Sequence, residues 1–278
     1  MIGVEDEEFL KVGKALEQGS IDRWHNILAS ICDGFETGIE GSKMGHLFSY
    51  GRNHGRPSRP LTVAGTDMDT QNTLRRYTSL AVLIDMIQRR AISFMNPAFW
   101  DDRNDAFSLE RFRQLEACGS VLALCLTGAD ETYHHWKVFS PGMEGVCIWF
   151  DRDGLIDQFE EDSEDLLHGD VTYHTIAELK SMHPTADRIP FLKRVQFADE
   201  REYRFLMTED DPHIDRCEQS LDLSLVTRIT LSPWMPISIA DSVKATLAAL
   251  PGHSIRVYRS TLVENRDWKS VFRGMGGR

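Results

Sequence analysis

Gly145-Val-Cys-Ile-Trp-Phe150 is a nearly continuous apolar run, and Val121-Leu-Ala-Leu-Cys-Leu126 is a second one. Short apolar runs of this kind are typical of strands buried on both faces of a sheet. On either side of them, further strand patterns alternate with segments whose apolar residues recur at helical spacing. The alternation predicts an α+β (mixed α/β) fold, in which a central mixed sheet is flanked by helices.

The same patterns predict the individual elements. The predicted strands are residues 73–77, 91–95, 121–126, 145–150, 171–173, 201–207, 226–231 and 254–258, and the predicted helices are residues 80–88, 108–115, 155–159 and 237–250. Ser79 precedes the first of these helices, where its hydroxyl can cap the free N–H groups of the first turn.

The first seventy residues differ in character from the rest. Two amphipathic patterns predict a helical hairpin over residues 1–34, and a Gly-rich and Arg-rich stretch predicts a mobile loop or linker over residues 35–72. The α+β domain is then expected at residues 73–278. The loop carries a local basic cluster, which is either a solvated linker or a flap that closes over an anionic ligand. Its members are Arg52, His54, Arg56 and Arg59.

Composition narrows the class of protein. The 278 residues are 41% hydrophobic and 27% charged, and the net charge of -12 argues against a general nucleic-acid coat. There is no apolar run long enough to span a bilayer and no basic signal segment, so we expect a soluble, cytoplasmic protein without membrane partners. The motifs of Rossmann, P-loop and serine-hydrolase enzymes are absent from the sequence. Five scattered cysteines without CxxC spacing fit a reducing compartment: Cys32, Cys118, Cys125, Cys147 and Cys217.

The candidate catalytic residues lie in Phe197-Ala-Asp-Glu-Arg-Glu-Tyr-Arg-Phe205. If the whole segment is a strand, side-chain alternation places Glu200, Glu202 and Arg204 on one face and Arg201, Tyr203 and Phe205 on the other. Two carboxylates beside a guanidinium can act together on a sugar or phosphate substrate. The alternative is a solvated charge ladder on an edge strand. Lys193 and Arg194, just upstream, either bind substrate phosphates or neutralise the neighbouring acids.

Three further segments carry polar residues that a core would not need. Arg76 and Thr78 precede a predicted helix and can meet a phosphate there, or Arg76 pairs with surface acids while Tyr77 packs on the core. A second segment is rich in Asn and Asp, which favour turns, and its spacing does not match an EF-hand. A fixed loop that shapes a pocket is therefore favoured over a metal site. The members of that segment are Asn96, Asp101, Asn104 and Asp105.

The third segment is Thr132-Tyr-His-His-Trp-Lys-Val-Phe139. Adjacent histidines point in different directions in a helix or a strand, so His134 and His135 make a poor metal site. One of the two is a candidate polar contact in a cleft. Trp136 either offers a flat apolar face to a ring or packs inside the fold.

Taken in order, these segments resemble a bacterial family of unknown function, DUF2971. The resemblance covers residues 73–258 and omits the first seventy. Ala106 replaces the proline that usually follows Asn-Asp in the family, and the family itself implies no activity. The matching motifs are Arg76-Tyr-Thr-Ser79, Asn96-Pro97 with Asn104-Asp105, His134-His-Trp136, Gly145-Val-Cys-Ile-Trp-Phe150 and Glu200-Arg-Glu-Tyr-Arg204.

The layout is also similar, more loosely, to that of ADP-ribosyltransferases, which include toxins that modify proteins or nucleic acids. This resemblance implies NAD as cofactor, no metal, and a protein or nucleic-acid acceptor, with a role as a toxin or phage-defence effector. It makes Glu202 the catalytic carboxylate and Glu200 its partner or the base that activates the acceptor, although the two can exchange roles. The implied cofactor-binding residues are Arg76, Tyr77, Thr78, Asn96, His135, Trp136 and Arg204, and the implied phosphate or substrate contacts are Asn104, Asp105, Lys193 and Arg194.

Two other hypotheses stay open at the level of sequence. One is metal-assisted cleavage of a phosphodiester by Asp101, Asp105, Glu200 and Glu202, which predicts a bound divalent cation. The other is a non-catalytic binding or scaffold module. In that case the glutamates would pair with Arg204 and Arg201 and would line no pocket.

Overall fold

Strand β1 (Thr73–Ser79) runs directly into helix α1 (Leu80–Arg89) in a computed structural model of the chain. The Ser79 hydroxyl accepts a hydrogen bond from the backbone N–H of Val82, as expected for a helix cap. The structure describes residues 72–163, 165–250 and 255–273. The predicted helical hairpin and the basic cluster of the loop lie outside these residues.

The described elements follow the predicted alternation. The remaining strands are β2 (Ala91–Met95), β3 (Ser120–Thr127), β4 (Gly145–Asp151), β5 (Leu167–Asp170), β6 (Thr172–His174), β7 (Leu192–Arg194), β8 (Glu202–Glu209), β9 (Arg216–Ser220), β10 (Val226–Leu231) and β11 (Arg256–Arg259). The remaining helices are α2 (Arg103–Glu116), α3 (Tyr133–Phe139), α4 (Arg152–Asp162), α5 (Ile176–Met182), α6 (Ile237–Ala248) and α7 (Arg266–Arg273). Among the described residues, no helix is long and apolar enough to cross a membrane.

Nine of the described strands form one mixed sheet, which confirms the predicted fold class. Its main path is β11-β10-β4-β1-β3-β2-β9, and β8 pairs with the full length of β3 and carries β5 on its other side. β10 and β11 are parallel, whereas the other pairs of this sheet are antiparallel. β6 and β7 form a separate two-stranded parallel sheet.

Helices cover both faces of the sheet. On one face, α1, α4 and α6 pack onto the main apolar core, which includes Leu83, Phe159 and Leu247. On the other face, Leu109 and Phe112 of α2 pack against β3 and β8 in a smaller apolar cluster. This second cluster covers only part of its face, and the remainder carries polar side chains.

The segment with the candidate glutamates is not one strand. Residues Val195–Glu200 form a 3-10 helix, and Arg201 has a left-handed backbone with a φ of 42° before β8 begins at Glu202. The prediction that Glu200 shares the strand was therefore wrong. From Glu202 onward the predicted alternation is confirmed, since Arg204 shares the face of Glu202 while Tyr203 and Phe205 join the main core.

Candidate active site

Period-two alternation on β1 and β3 places polar residues on the face opposite the main core. Arg75 is in register with Thr127, and Tyr77 lies two residues along β1 on the same face. Together with Cys125 these residues form the floor of a cleft of about 380 Å³. A cleft of this size is within the range of small-ligand pockets.

Aromatic and acidic side chains form the walls of this cleft. Trp100, Phe139 and Phe197 supply apolar rings, and Asp101 and Asp102 lie at the start of α2. The remaining side chains that give the cleft its charge come from four separate elements. They are Asp105 on α2, Lys193 on β7, Glu200 on the 3-10 helix and Glu202 on β8.

These four residues and Arg204 form what we call the charged cluster. Lys193 Nζ lies 2.5 Å from Glu200 Oε2, 3.1 Å from Glu202 Oε2 and 3.7 Å from Asp105 Oδ2. Arg204 forms a bidentate ion pair with Asp105 at 2.7 and 3.1 Å, and its Nε donates to Glu202 Oε1 at 2.8 Å. All five side chains are at most 10% exposed. The cluster is therefore a buried network rather than a solvated ladder.

Local bonds hold the two glutamates in place. The Thr127 hydroxyl donates to the Glu200 carbonyl, and the Gly128 N–H donates to the Arg201 carbonyl. The backbone N–H of Glu202 donates to the Tyr173 hydroxyl at 2.8 Å. The left-handed turn at Arg201 thus brings Glu200 back beside Glu202, so that both carboxylates reach the same ammonium.

Burial and neighbouring charges shift the carboxyl pKa values in different directions. Burial alone would raise the pKa of Glu202, but Arg204 and Lys193 reverse this effect and lower it. Burial raises the pKa of Glu200 despite the attraction of Lys193, and it raises the pKa of Asp105 despite the ion pair with Arg204. Glu202 is therefore held ionised, while Glu200 takes up a proton more readily.

Lys193 and Arg204 are cations that the cluster already neutralises. Burial alone would lower the pKa of Lys193, but Glu202 and Glu200 outweigh burial and raise it. Of the two possibilities left open for Lys193, the neutralisation of neighbouring acids is the one observed. Arg204 has no exposed side-chain surface and also donates to the Pro190 carbonyl, so its guanidinium lies beneath the cleft.

Several predicted site residues lie away from the cleft. Arg76 and Thr78 fall on the opposite face of β1, and Arg194 does not line the cleft. Asn96 caps a 3-10 turn through Ala98 N–H and borders a separate cavity of about 250 Å³. Asn104 is exposed and donates to Asp102. The implied cofactor contact of Arg76 beside Glu202 is therefore corrected, because alternation turns Arg75 toward the cleft instead.

The histidine and tryptophan of α3 lie behind Tyr77. His135 stacks on the Tyr77 ring with centroids 5.4 Å apart, and Trp136 meets the same ring edge-on at 5.1 Å. Trp136 is fully buried, and its Nε1 donates to Glu131 at 2.7 Å. Of the three rings, only that of Tyr77 borders the cleft.

The sequence reasoning missed the aromatic wall and Arg75. Trp100, Phe139 and Phe197 lie within or beside segments that had been singled out, but no periodicity marks them as facing a common space. A signal did exist for Arg75. Leu74 is the apolar residue at the start of the strand, so the core face of β1 contains residues 74 and 76 and the other face contains Arg75 and Tyr77.

Neither of the other two hypotheses describes this geometry. Within the described residues, no group of three His, Cys, Asp or Glu side chains is arranged to hold a metal ion. Lys193 Nζ instead occupies the space between the three carboxylates. The scaffold hypothesis predicted the pairing with Arg204, but the glutamates line a cleft and the exposed Arg201 takes no part in the network.

Comparisons with known proteins give a distant structural likeness. No protein-family model and no curated protein matches the chain, so membership of DUF2971 stays a prediction. The chain is similar to three structures of DarT from Thermus sp. 2.9, in complex with ADP-ribosylated ssDNA, with NAD+ and with carba-NAD+. The identities are 10%, 8% and 9%, and the TM-scores are 0.38, 0.38 and 0.36. The matches cover 71% of this chain and 96%, 97% and 97% of the respective DarT chains. A likeness of this degree does not define a function, which has to be sought in the cleft.

Proposed function

We propose that the cleft splits the bond between nicotinamide and ribose in NAD and transfers the ADP-ribose to an acceptor, which is water in the simplest case. The observation that carries this proposal is the pair of glutamates. Glu202 is held ionised, whereas the pKa of Glu200 is raised. Two carboxylates whose surroundings separate their pKa values are suited to two different tasks in one reaction.

The charge of the cluster favours a cationic ligand. Three carboxylates face two cations, so one negative charge remains when all five groups are ionised. Aromatic walls exclude water and weaken the screening of this charge. A positively charged nicotinamide ring, and the positive charge that grows on the ribose as the bond breaks, are both stabilised by such surroundings.

The two glutamates then take different roles. Glu202 stabilises the positive charge on the ribose carbon, while the electron pair of the broken bond stays on the ring and nicotinamide leaves as a neutral molecule. Glu200 takes the proton from the acceptor as the new bond to that carbon forms. In the cluster, Glu200 accepts a hydrogen bond from Lys193 Nζ through Oε2, and Glu200 also lines the cleft.

The aromatic wall supplies contacts for the leaving group. Phe139 is 43% exposed at the cleft and can lie against a planar ring. Trp100 and Phe197 each already have a cation on one face, with Arg204 Cζ and Lys193 Nζ both 5.0 Å from the ring centres. These cation–ring contacts fix the rings and so shape the cleft. In a cell, this chemistry would suit a toxin or phage-defence effector of the cytoplasm.

The decisive experiment measures nicotinamide release from NAD by the full chain, with and without EDTA. We expect release by the wild type to resist EDTA and to fall by about 100-fold or more in Glu200→Gln, the range for loss of a general base. Glu209→Gln, at the far end of β8 from the cleft, is the matched control and should retain activity.

Two outcomes would contradict the proposal. The first is the absence of NAD binding and nicotinamide release at millimolar NAD with a folded wild-type protein. The second is wild-type turnover in Glu200→Gln. Release that disappears with EDTA would instead point to metal-assisted chemistry.

A further inference from the structure

The sheet face beside the cleft carries an unusual row of side chains. Arg75 on β1, Trp149 on β4, Arg228 on β10 and Arg256 on β11 are register neighbours across four adjacent strands. Register neighbours point to the same face, and Arg75 lies on the cleft face, so the whole row lies on that face. Three guanidiniums and one indole therefore extend from the cleft to the edge of the sheet.

Within this row the charged and aromatic groups stack. The guanidinium carbon of Arg75 lies 4.1 Å from the Trp149 ring centre, and that of Arg228 lies 4.5 Å from the same centre. Arg228 also lies 4.8 Å from the ring centre of Tyr258, which is 45% exposed at the outer strand. Stacking on these rings fixes the planes of the Arg75 and Arg228 guanidiniums and removes water from the stacked faces.

The row contains buried donors that have no acceptor among the residues that the structure describes. Arg75 Nε, Trp149 Nε1 and Arg228 Nε are buried and make no hydrogen bond to any described residue. In the adjacent row of the same face, the Thr230 hydroxyl likewise makes no hydrogen bond to a described residue. Buried polar atoms without partners are rare in folded proteins, and a group of them in one place is typical of a site that binds water, an ion or a ligand.

Among the described residues, acids balance only part of the positive charge on this face. Arg75 pairs with Asp130, whose side chain is 75% exposed. The nearby Glu131 accepts hydrogen bonds from Trp136 and Ser260. Arg228 and Arg256 form no ion pair with a carboxylate of the described residues. The face therefore carries an excess of positive charge next to a cleft that carries an excess of negative charge.

We propose that Arg228, stacked between Trp149 and Tyr258, binds a phosphate group of the ligand whose reactive end occupies the cleft. The unpaired atoms of the row are N–H donors, which select an acceptor-rich anion, and a planar guanidinium fork matches phosphate. The charged cluster repels phosphates, so these groups have to lie outside the cleft. Arg75 lies where the two regions meet.

This inference rests on the proposed function for the identity of the ligand, but its site is separate. A pyrophosphate of NAD and a phosphodiester of a nucleic-acid acceptor have the same binding chemistry. The source of the phosphate is therefore a matter for the experiment, which uses inorganic pyrophosphate, NAD and a single-stranded ten-residue oligothymidylate as probes.

The test measures the dissociation constant of each probe by calorimetry for wild type and Arg228→Gln. Loss of a charge-assisted hydrogen bond should weaken at least one probe by about tenfold or more. Arg111→Gln is the matched control, because Arg111 is exposed on α2 and bonds only Gln114 among the described residues. Arg228→Lys keeps the charge without the fork and should retain part of the affinity. Melting temperatures establish that each variant is folded.

The outcomes separate this proposal from the proposed function. Weaker NAD binding in Arg228→Gln assigns the phosphate to the dinucleotide, and weaker oligothymidylate binding alone assigns it to an acceptor strand. Equal affinity of wild type and Arg228→Gln for all three probes, or no binding of any probe to the wild type, overturns the subsite. Nicotinamide release is scored independently on the same proteins, so either proposal can fail while the other stands.

Discussion

Replacement of Glu202 by Gln tests whether the charged cluster holds the sheet together as well as forming the cleft. Glu202 is 5% exposed, and both of its carboxylate oxygens accept hydrogen bonds from cations. Gln has nearly the same shape but no charge, and its amide nitrogen cannot accept a hydrogen bond from either Arg204 or Lys193. One of the two cations must therefore lose a partner inside the protein.

The expected loss of stability in Glu202→Gln depends on the ion pairs that Arg204 and Lys193 keep. Removing one member of a buried ion pair typically destabilises a protein by about 3–5 kcal/mol. Arg204 keeps its bidentate pair with Asp105, and Lys193 keeps Glu200, so the lower end applies. We expect the free energy of unfolding to fall by about 3 kcal/mol, which for a domain of this size lowers the melting temperature by about 6–12 °C.

Urea and thermal unfolding of the purified chain provide the measurement. Glu209→Gln changes the same residue type on the same strand away from the cluster and should stay within about 0.5 kcal/mol of wild type. A melting temperature for Glu202→Gln within about 2 °C of wild type would refute the reasoning. That result would mean that Glu202 contributes no net stability in its ion pairs.

Three further predictions concern Glu200, Phe139 and Ser79. Burial raises the pKa of Glu200 in the folded state, so the stability that its protonated form contributes is present below about pH 4.5 and is lost as the pH rises through the folded pKa. The free energy of unfolding of Glu200→Gln minus that of wild type should therefore increase between about pH 4 and pH 7. A difference that does not change with pH would contradict the raised pKa. Phe139→Ala should raise KM for NAD by about two- to tenfold while the melting temperature changes little, because this ring is half-exposed in the cleft wall. An unchanged KM would mean that the Phe139 ring does not contact NAD. Ser79→Ala should lower the free energy of unfolding by about 1 kcal/mol through loss of the cap on α1, as measured by urea titration, and should leave nicotinamide release intact.

Much of the secondary structure follows from local pattern. The apolar runs at 121–126 and 145–150 became β3 and β4, and residues 91–95 and 226–231 are strands with the predicted bounds. The short helices α3, α5 and α7 were not predicted, since each has eight residues or fewer. Over such a length, helical periodicity is hard to distinguish from chance.

The sequence likewise predicted some residues of the candidate site but not their contacts. Residue type marked Glu200, Glu202, Lys193 and Asp105, because four ionisable groups in two polar segments are chemically conspicuous. The contacts that these groups make with one another and with Arg204 could not be predicted, because they join distant segments. Arg204 and Asp105, for example, are 99 positions apart in the chain. Arg201 was placed inside a strand, and only its left-handed backbone brings Glu200 back toward Glu202.

By itself, the sequence determined the class of fold, the positions of most strands, and the side-chain alternation that joins Glu202 to Arg204. Alternation and capping depend on neighbours a few residues apart, so these features are encoded locally. Only the tertiary structure decided that β1 lies between β3 and β4, that Arg75 and Glu202 line the same cleft, and that Lys193 lies among three carboxylates. Strand order and register are set by packing between distant segments, and the local pattern does not encode that packing.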